Sequence, residues 1–147
     1  MHLRRLRAGE WFAGVGGIAL IVSLLLPWYE GTGPVTGYEA LTVVDVLLTL
    51  LALLALALPV LQATQDVPNK PVGAGIVAVV FGALGTLIVV FRLIDAPADG
   101  FEVRAGAWLG FAATVLITVS AWRSLAAEYV RGLPPDIEPE LRATPAP

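Results

Sequence analysis

Three ionisable residues fall inside or beside long apolar runs: Asp45, Arg92 and Arg104. A carboxylate and a guanidinium that leave bulk water are stabilised by pairing, because an unpaired charge in a low-dielectric medium is costly. Asp45 lies about one turn inside its run, Arg92 near the far end of the next, and Arg104 at the start of the last. All three are therefore expected at one level, the outer boundary of a membrane. In the sharper reading they form a polar cluster in which Asp45 accepts from Arg92 or Arg104 and meets a lipid headgroup. In the plainer one each Arg snorkels to water, and Asp95 shields Arg92 at i, i+3.

A second pattern is made of small residues. Gly106 and Gly110 are four apart and are continued at the same spacing by Thr114 and Thr118; Ala74, Ala78, Gly82 and Thr86 repeat it in the preceding run, and Ala13 and Gly17 begin it in the first. Such rows lie on one helix face and let backbones approach closely, which matters in lipid, where no hydrophobic force drives helices together. They serve either packing within one chain or a seam between copies. The threonines are expected to bond the carbonyls four residues back.

Enzymatic patterns are missing. The chain has no Cys and one His, His2. It has no P-loop, no HExxH and no GxSxG. Ser23, Ser120 and Ser124 have no base near them in sequence, and Gly14-Val15-Gly16-Gly17 follows no strand. No catalytic residue, cofactor site or metal site is expected, and the chain is not expected to be an enzyme. A net charge of −3 without a basic patch gives no reason to expect nucleic acid. The centres of the apolar runs fall near Leu20, Leu51, Ala83 and Thr114, with no ionisable residue close by, which argues against a proton-coupled carrier.

The elements that must position these residues follow from composition. Of 147 residues, 57% are hydrophobic and 14% charged, with a mean hydropathy of +0.81. A soluble domain is about 25% charged, and one of this size could not hide so much apolar surface in a single core. The pattern predicts four membrane spans, at about 10–29, 40–61, 71–94 and 104–123. In hydrocarbon the backbone must bond to itself, so the spans are expected to be helices; they lack the alternation of a membrane barrel. Pro27 closes the first run, Pro59 sits in the last turn of the second, Pro68 and Pro71 bracket the link into the third, and 96–100 reads as a turn. Trp11, Trp28, Tyr29, Trp108 and Trp122 lie near span ends and are expected in the headgroup layer. The link 30–39, with Gly31, Gly33, Pro34 and Gly37, reads as a small folded cap or hairpin.

Arg4, Arg5, Arg7, Lys70, Arg123, Arg131 and Arg142 fall on one side of this topology, and only Arg92 and Arg104 on the other. The positive-inside rule then puts both termini in the cytoplasm. Residues 1–9 form a basic cytoplasmic start, 10–131 the membrane domain, and the Pro-rich stretch 132–147 a disordered cytoplasmic tail. The first span is read as an uncleaved anchor rather than a signal peptide. The fold expected is all-α: a four-helix transmembrane bundle with short links.

Leu26-Pro27-Trp28-Tyr29, Gly37-Tyr38-Glu39-Ala40, Asp45-Val46-Leu47-Leu48 and Gly106-Ala107-Trp108-Leu109-Gly110 together resemble a pattern in small four-helix integral membrane proteins of actinobacteria. The resemblance covers the membrane part and not the tail, and Tyr38 stands where the pattern has Trp. It implies four spans and an inner-membrane location, and it carries no activity. The function expected is that of a membrane interaction or assembly protein, a small subunit or scaffold, with lipid and a second copy or another membrane protein as partners. The alternative is a small transporter, channel or lipid-binding protein acting as an oligomer, its path lined by Thr86, Thr114 and Thr118.

Overall fold

Backbone groups that leave water must find partners within the chain, and most of this chain does so as helix. The computed structural model describes residues 8–41, 43–64, 72–96 and 100–131. Among them lie α1 (Ala8–Leu25), β1 (Pro27–Glu30), β2 (Pro34–Thr36), α2 (Gly37–Leu41), α3 (Val43–Thr64), α4 (Val72–Ile94), β3 (Glu102–Val103) and α5 (Ala105–Arg131). Three helices are long and apolar enough to cross a membrane, within Val43–Val60, Gly75–Ile94 and Ala105–Ala126. The apolar part of α1, Trp11–Leu25, is shorter.

The all-α expectation needs correcting. Three strands form a sheet in the order β2-β1-β3. Both pairings of β1 are antiparallel: Tyr29 lies opposite Val35 and Val103, and Glu30 opposite Pro34 and Glu102. The apolar run that reads as one span to Tyr29 is cut at Leu25, because Pro27 has no N–H to give the helix and disfavours helical geometry at Leu26. Pro59, expected in a last turn, lies inside α3.

The basic residues Arg4, Arg5, Arg7, Lys70 and Arg142, the prolines of 68–71, Asp99 and the tail 132–147 lie outside the described residues.

Packing is antiparallel between chain neighbours and closes on itself: α1 touches α3 and α5, and α4 touches α5 and, less extensively, α3. Apolar character does not separate inside from outside as it does in a water-soluble protein. Inside are Leu20, Leu24, Leu48, Leu51, Val89 and Ile117 beside Ala13, Ala52, Ala55, Ala78, Ala107, Ala113 and Ala121, with Ser23, Thr114 and Ser120. Outside are large residues such as Phe12, Ile18, Leu50, Leu53, Phe81, Leu87, Phe91 and Val119. Only 22%, 22% and 44% of the three long apolar windows is buried within the chain. Water would face most of that apolar surface; a lipid solvent has no quarrel with it.

Small residues mark where the helices come closest. A β-carbon on Gly17 would stand 2.8 Å from the carbonyl oxygen of Ala52, and one on Gly16 would stand 2.7 Å from Ile117 Cγ1. Gly85 admits Leu51 in the same way, at 2.7 Å from Cδ2.

Candidate functional site

The features that stand out gather at one end of the helices, where α1 and α4 finish and α3 and α5 begin. A helix end in an apolar setting leaves carbonyls or N–H groups unbonded, and each one left unsatisfied is costly. The sheet and its flanking residues answer this need at α1, α2, α4 and α5.

At the close of α1, Ser23 O accepts from Leu26 N at 3.1 Å and from the indole Nε1–H of Trp28 at 2.7 Å. At the close of α4, Arg92 O accepts from the Tyr29 hydroxyl at 2.7 Å, and Phe91 O accepts from Asp95 N at 2.8 Å. At the opening of α5, Arg104 N donates to Trp28 O at 2.8 Å. At the opening of α2, Thr36 and Glu39 form a capping box: Glu39 Oε2 accepts from Thr36 N at 2.9 Å and from Thr36 Oγ1 at 2.8 Å, and Glu39 N donates to Thr36 Oγ1 at 3.4 Å.

Trp28 and Tyr29 are adjacent in β1, so their side chains leave opposite faces of the strand, yet both are fully buried. The strand is thus a wedge, covered on both sides. Trp28 lies against Gly106, Gly110 and Gly37: a β-carbon at those positions would stand 2.9 Å from Cδ1, 2.6 Å from Cζ2 and 2.9 Å from Nε1 of its indole. Tyr29 lies on the α4 side and meets Phe101 edge to face, with ring centroids 6.2 Å apart. The expectation that Trp28 and Tyr29 anchor the headgroup layer is therefore wrong; their polar atoms find helix-end carbonyls instead of interfacial water. Trp11, Trp108 and Trp122 do point outward, each more than half exposed.

The residues singled out by sequence separate. Arg104 pairs with Glu30 and, at 3.7 Å, with Glu102. It stands between two carboxylates that face each other directly across β1 and β3, a pairing that would be repulsive without it. Asp45 Oδ1 accepts from Val46 N at 2.6 Å in the first turn of α3, where a carboxylate suits the helix dipole. Among the described residues no ion pair joins Asp45 to Arg92 or Arg104. Arg92 contributes its carbonyl to Tyr29 rather than its guanidinium to Asp45.

The small-residue faces are occupied within the chain. Gly106 and Gly110 take Pro27 and Trp28, and Gly82 takes Thr118, whose Oγ1 would lie 2.7 Å from a β-carbon there. Ala78 and Thr114 are buried, and the side chain of Ala74 lies outside the described set. Thr86 and Thr118 bond the carbonyls four residues back, at 2.9 and 2.8 Å, and Thr114 that of Phe111 at 2.9 Å. Thr86 and Thr118 hydroxyls also meet across α4 and α5 at 3.3 Å. Among the described residues no group of three or more His, Cys, Asp or Glu could hold a metal ion.

Two titrations follow from this geometry. Burial, opposed by nearby Arg92 and reinforced by Asp95, pushes the Tyr29 phenol above its ordinary value. Its stabilising contribution is complete below the ordinary phenol range and is lost as pH rises through the elevated value. Tyr29→Phe removes the donor and leaves Arg92 O unbonded, so a loss of about 1–3 kcal/mol is expected, read by denaturant titration in detergent near neutral pH. The variant should also lose the alkaline sensitivity of the parent.

Hydrogen bonds from Thr36, backbone first and hydroxyl second, hold the Glu39 carboxyl below the usual carboxylate range. Its contribution is present above that range and fades as pH falls through the depressed value. Protection of the α2 amides from hydrogen exchange is therefore expected to drop on acidification below the carboxylate range; equal protection in Glu39→Gln at neutral pH would show that the charge is irrelevant.

No protein family, curated protein or solved structure matches this chain. None bears on the resemblance drawn from Leu26–Tyr29, Gly37–Ala40, Asp45–Leu48 and Gly106–Gly110. Within this chain, Trp28 of the first of these segments fills the space left by Gly106 and Gly110 of the last.

Proposed function

We propose that all four long helices, α1 included, cross the bilayer of the cell membrane as a four-helix bundle. Both termini face the cytoplasm, following the asymmetry of Lys and Arg, and the β-sheet cap faces outward. The chain acts there as an interaction or assembly protein, a small subunit or scaffold.

The observation that carries this reading is the apolar exterior of the helices. Large apolar residues cover α1, α3, α4 and α5 on the outside, and most of the three long apolar windows is not buried within the chain. Such an exterior suits lipid and other membrane helices, and it is the largest feature the chain presents. The glycines at 106 and 110 are not the assembly surface in this reading, because Pro27 and Trp28 already occupy them. A mild-detergent pull-down from native membranes tests it. Recovery of one defined partner, or of a second copy, in fixed ratio supports an assembly role. Elution as a lone chain under several detergents sinks it.

The Thr86–Thr118 contact, with Thr114 a turn away, favours a second reading as an oligomeric carrier or channel. Its hydroxyl protons go to carbonyls of their own helices, and Trp28 stands over the same side of α5 at Gly110. Solute flux through vesicles of the pure protein, altered by Thr118→Val, would favour it over the first.

A further inference from the structure

Along α1, α3, α4 and α5 the exposed large apolar side chains are Val, Leu, Ile or Phe except at Trp11, Trp108 and Trp122. An indole has an apolar body and one N–H donor, and it gains most where hydrocarbon gives way to headgroups. Height along the helix is therefore what matters. Trp108 and Trp122 are 59% and 61% exposed on α5. Between them Ala112 and Val119 are exposed and Val115 is half-buried, at spacings of three and four that form one ridge along a helix. The rise from one indole to the other is about 21 Å at about 1.5 Å per residue, and no ionisable residue interrupts it. Cations stand just outside. Arg104 lies one turn before Trp108 and Arg123 directly after Trp122, both exposed and about 28 Å apart on the same scale. That separation is close to the hydrocarbon thickness of about 30 Å.

One of these levels recurs on α1. The carbonyl oxygens of Ser120 and Ala113 approach Gly9 and Gly16, at 3.3 and 3.4 Å from a β-carbon placed there, so the two helices keep step as they run antiparallel. Trp11, two residues after Gly9, then falls within about one turn of Trp122 in height. Two indoles on different helices thus face outward near one end, and Trp108 faces outward near the other. The ionic set Glu30–Arg104–Glu102 lies about one turn beyond Trp108, where water or headgroups spare its charges the cost of hydrocarbon.

We propose that phospholipid covers the outward face of α5 and that this helix sets the depth of the protein in the bilayer. Trp108 seats in the headgroup boundary of one leaflet, and Trp122 in that of the other, with Trp11 at the level of Trp122. The inference rests on the bilayer-crossing reading and adds to it the two levels at which headgroups meet the chain. Lipid is the occupant the pattern selects: a protein partner needs no indole at a fixed height, whereas a bilayer offers two such heights.

The chain's four tryptophans serve as depth gauges. Full-chain variants each keep Trp28 and one of Trp11, Trp108 and Trp122, with Phe at the other two positions; the combined Trp11→Phe, Trp108→Phe and Trp122→Phe variant gives the contribution of buried Trp28. Each is reconstituted in phosphatidylcholine vesicles brominated near the glycerol end or near the methyl end of the acyl chains. Bromine near the glycerol end is expected to quench Trp11, Trp108 and Trp122 at least about twofold more strongly than bromine near the methyl end. With bromine in the outer leaflet alone, the quenched fractions of Trp108 and Trp122 are expected to be complementary. Stronger quenching from the methyl end at Trp108 or Trp122 overturns the proposal and leaves the crossing intact. So does quenching of one of these two while no brominated lipid reaches the other, since lipid would not then cover that end of α5. Failure to quench any of the three, or full quenching of both Trp108 and Trp122 from the outer leaflet alone, removes the crossing as well.

Discussion

Replacing Trp28 by alanine is expected to lower stability by about 3–5 kcal/mol, the usual cost of emptying a fully buried tryptophan site. Three losses coincide there. The indole fills the space against Gly37, Gly106 and Gly110. Its Nε1–H bonds the Ser23 carbonyl at the end of α1. Its backbone carbonyl anchors the first residue before α5 through Arg104 N, and a collapsing strand would loosen that bond too. Trp28→Phe keeps most of the volume and removes only the indole donor, so a smaller loss of about 1–3 kcal/mol is expected. Reversible unfolding in mixed micelles measures both. A Trp28→Ala variant within about 1 kcal/mol of the parent would mean that the wedge bears little of the fold's stability, contrary to the burial rule.

The second large effect lies on the other side of the same contact. A β-carbon at Gly106 would stand 2.5 Å from the carbonyl oxygen of Pro27 and 3.0 Å from its carbonyl carbon. Both are backbone atoms held by the sheet, so they cannot swing aside as a side-chain tip can. Gly106→Ala is expected to cost about 1–3 kcal/mol, at the upper end for an unyielding neighbour, and Gly106→Leu to prevent the cap from docking. Gly110 makes a sharper comparison, since its clash is with the indole ring itself, 2.6 Å from Cζ2. Gly110→Ala should be destabilising alone and clearly less so in a Trp28→Ala background, where the 3.1 Å approach to Ser23 Oγ remains, a coupling that a double-mutant cycle resolves. Gly33→Ala, with open space around the position, should leave stability unchanged. Additive losses at Gly110 and Trp28 would contradict the contact.

The helices were legible in the sequence because their cause is local: long apolar runs must become helix where water is absent. Which side of each helix faces inward was not, since both faces are apolar and the same residue type stands on each, as buried Leu51 and exposed Leu53 do on α3. The sheet was legible only in part: Gly31, Gly33 and Pro34 mark the link 30–39 as a cap or hairpin, and β1 and β2 form one, but the third strand and the exact strand bounds were not readable. β3 is two residues, Glu102 and Val103, and β1 is four; neither carries a periodicity long enough to read. Their pairing depends on the ends of α1 and α5 lying side by side, which is a property of the packed helices. Trp28 and Tyr29 follow the same logic. An aromatic after a proline at a span end looks like an interfacial anchor, and only the glycines nearly eighty residues later in the chain supply the space that turns it inward. The close-approach meaning of Gly106 and Gly110 was legible; that an indole and a strand approach them, rather than a helix, was not. Asp45, Arg92 and Arg104 could be placed near one level by counting along the chain. Their partners could not, because Glu30 and Arg104 are brought together by the pairing of β1 with β3, which sequence did not disclose.

Because α1 and α4 finish where α3 and α5 start, neighbouring peptide dipoles point in opposite senses, and each terminal half-charge has one of the opposite sign beside it. Across a bilayer this leaves almost no axial moment. The layer around Leu20, Leu51, Ala83 and Thr114 holds no formal charge either. A transmembrane voltage is worth about 2.3 kcal/mol per 100 mV for each elementary charge carried through it, and the described core offers it no such charge to move. The folded core is electrically quiet, and its arrangement should not depend on whether the membrane around it is energised.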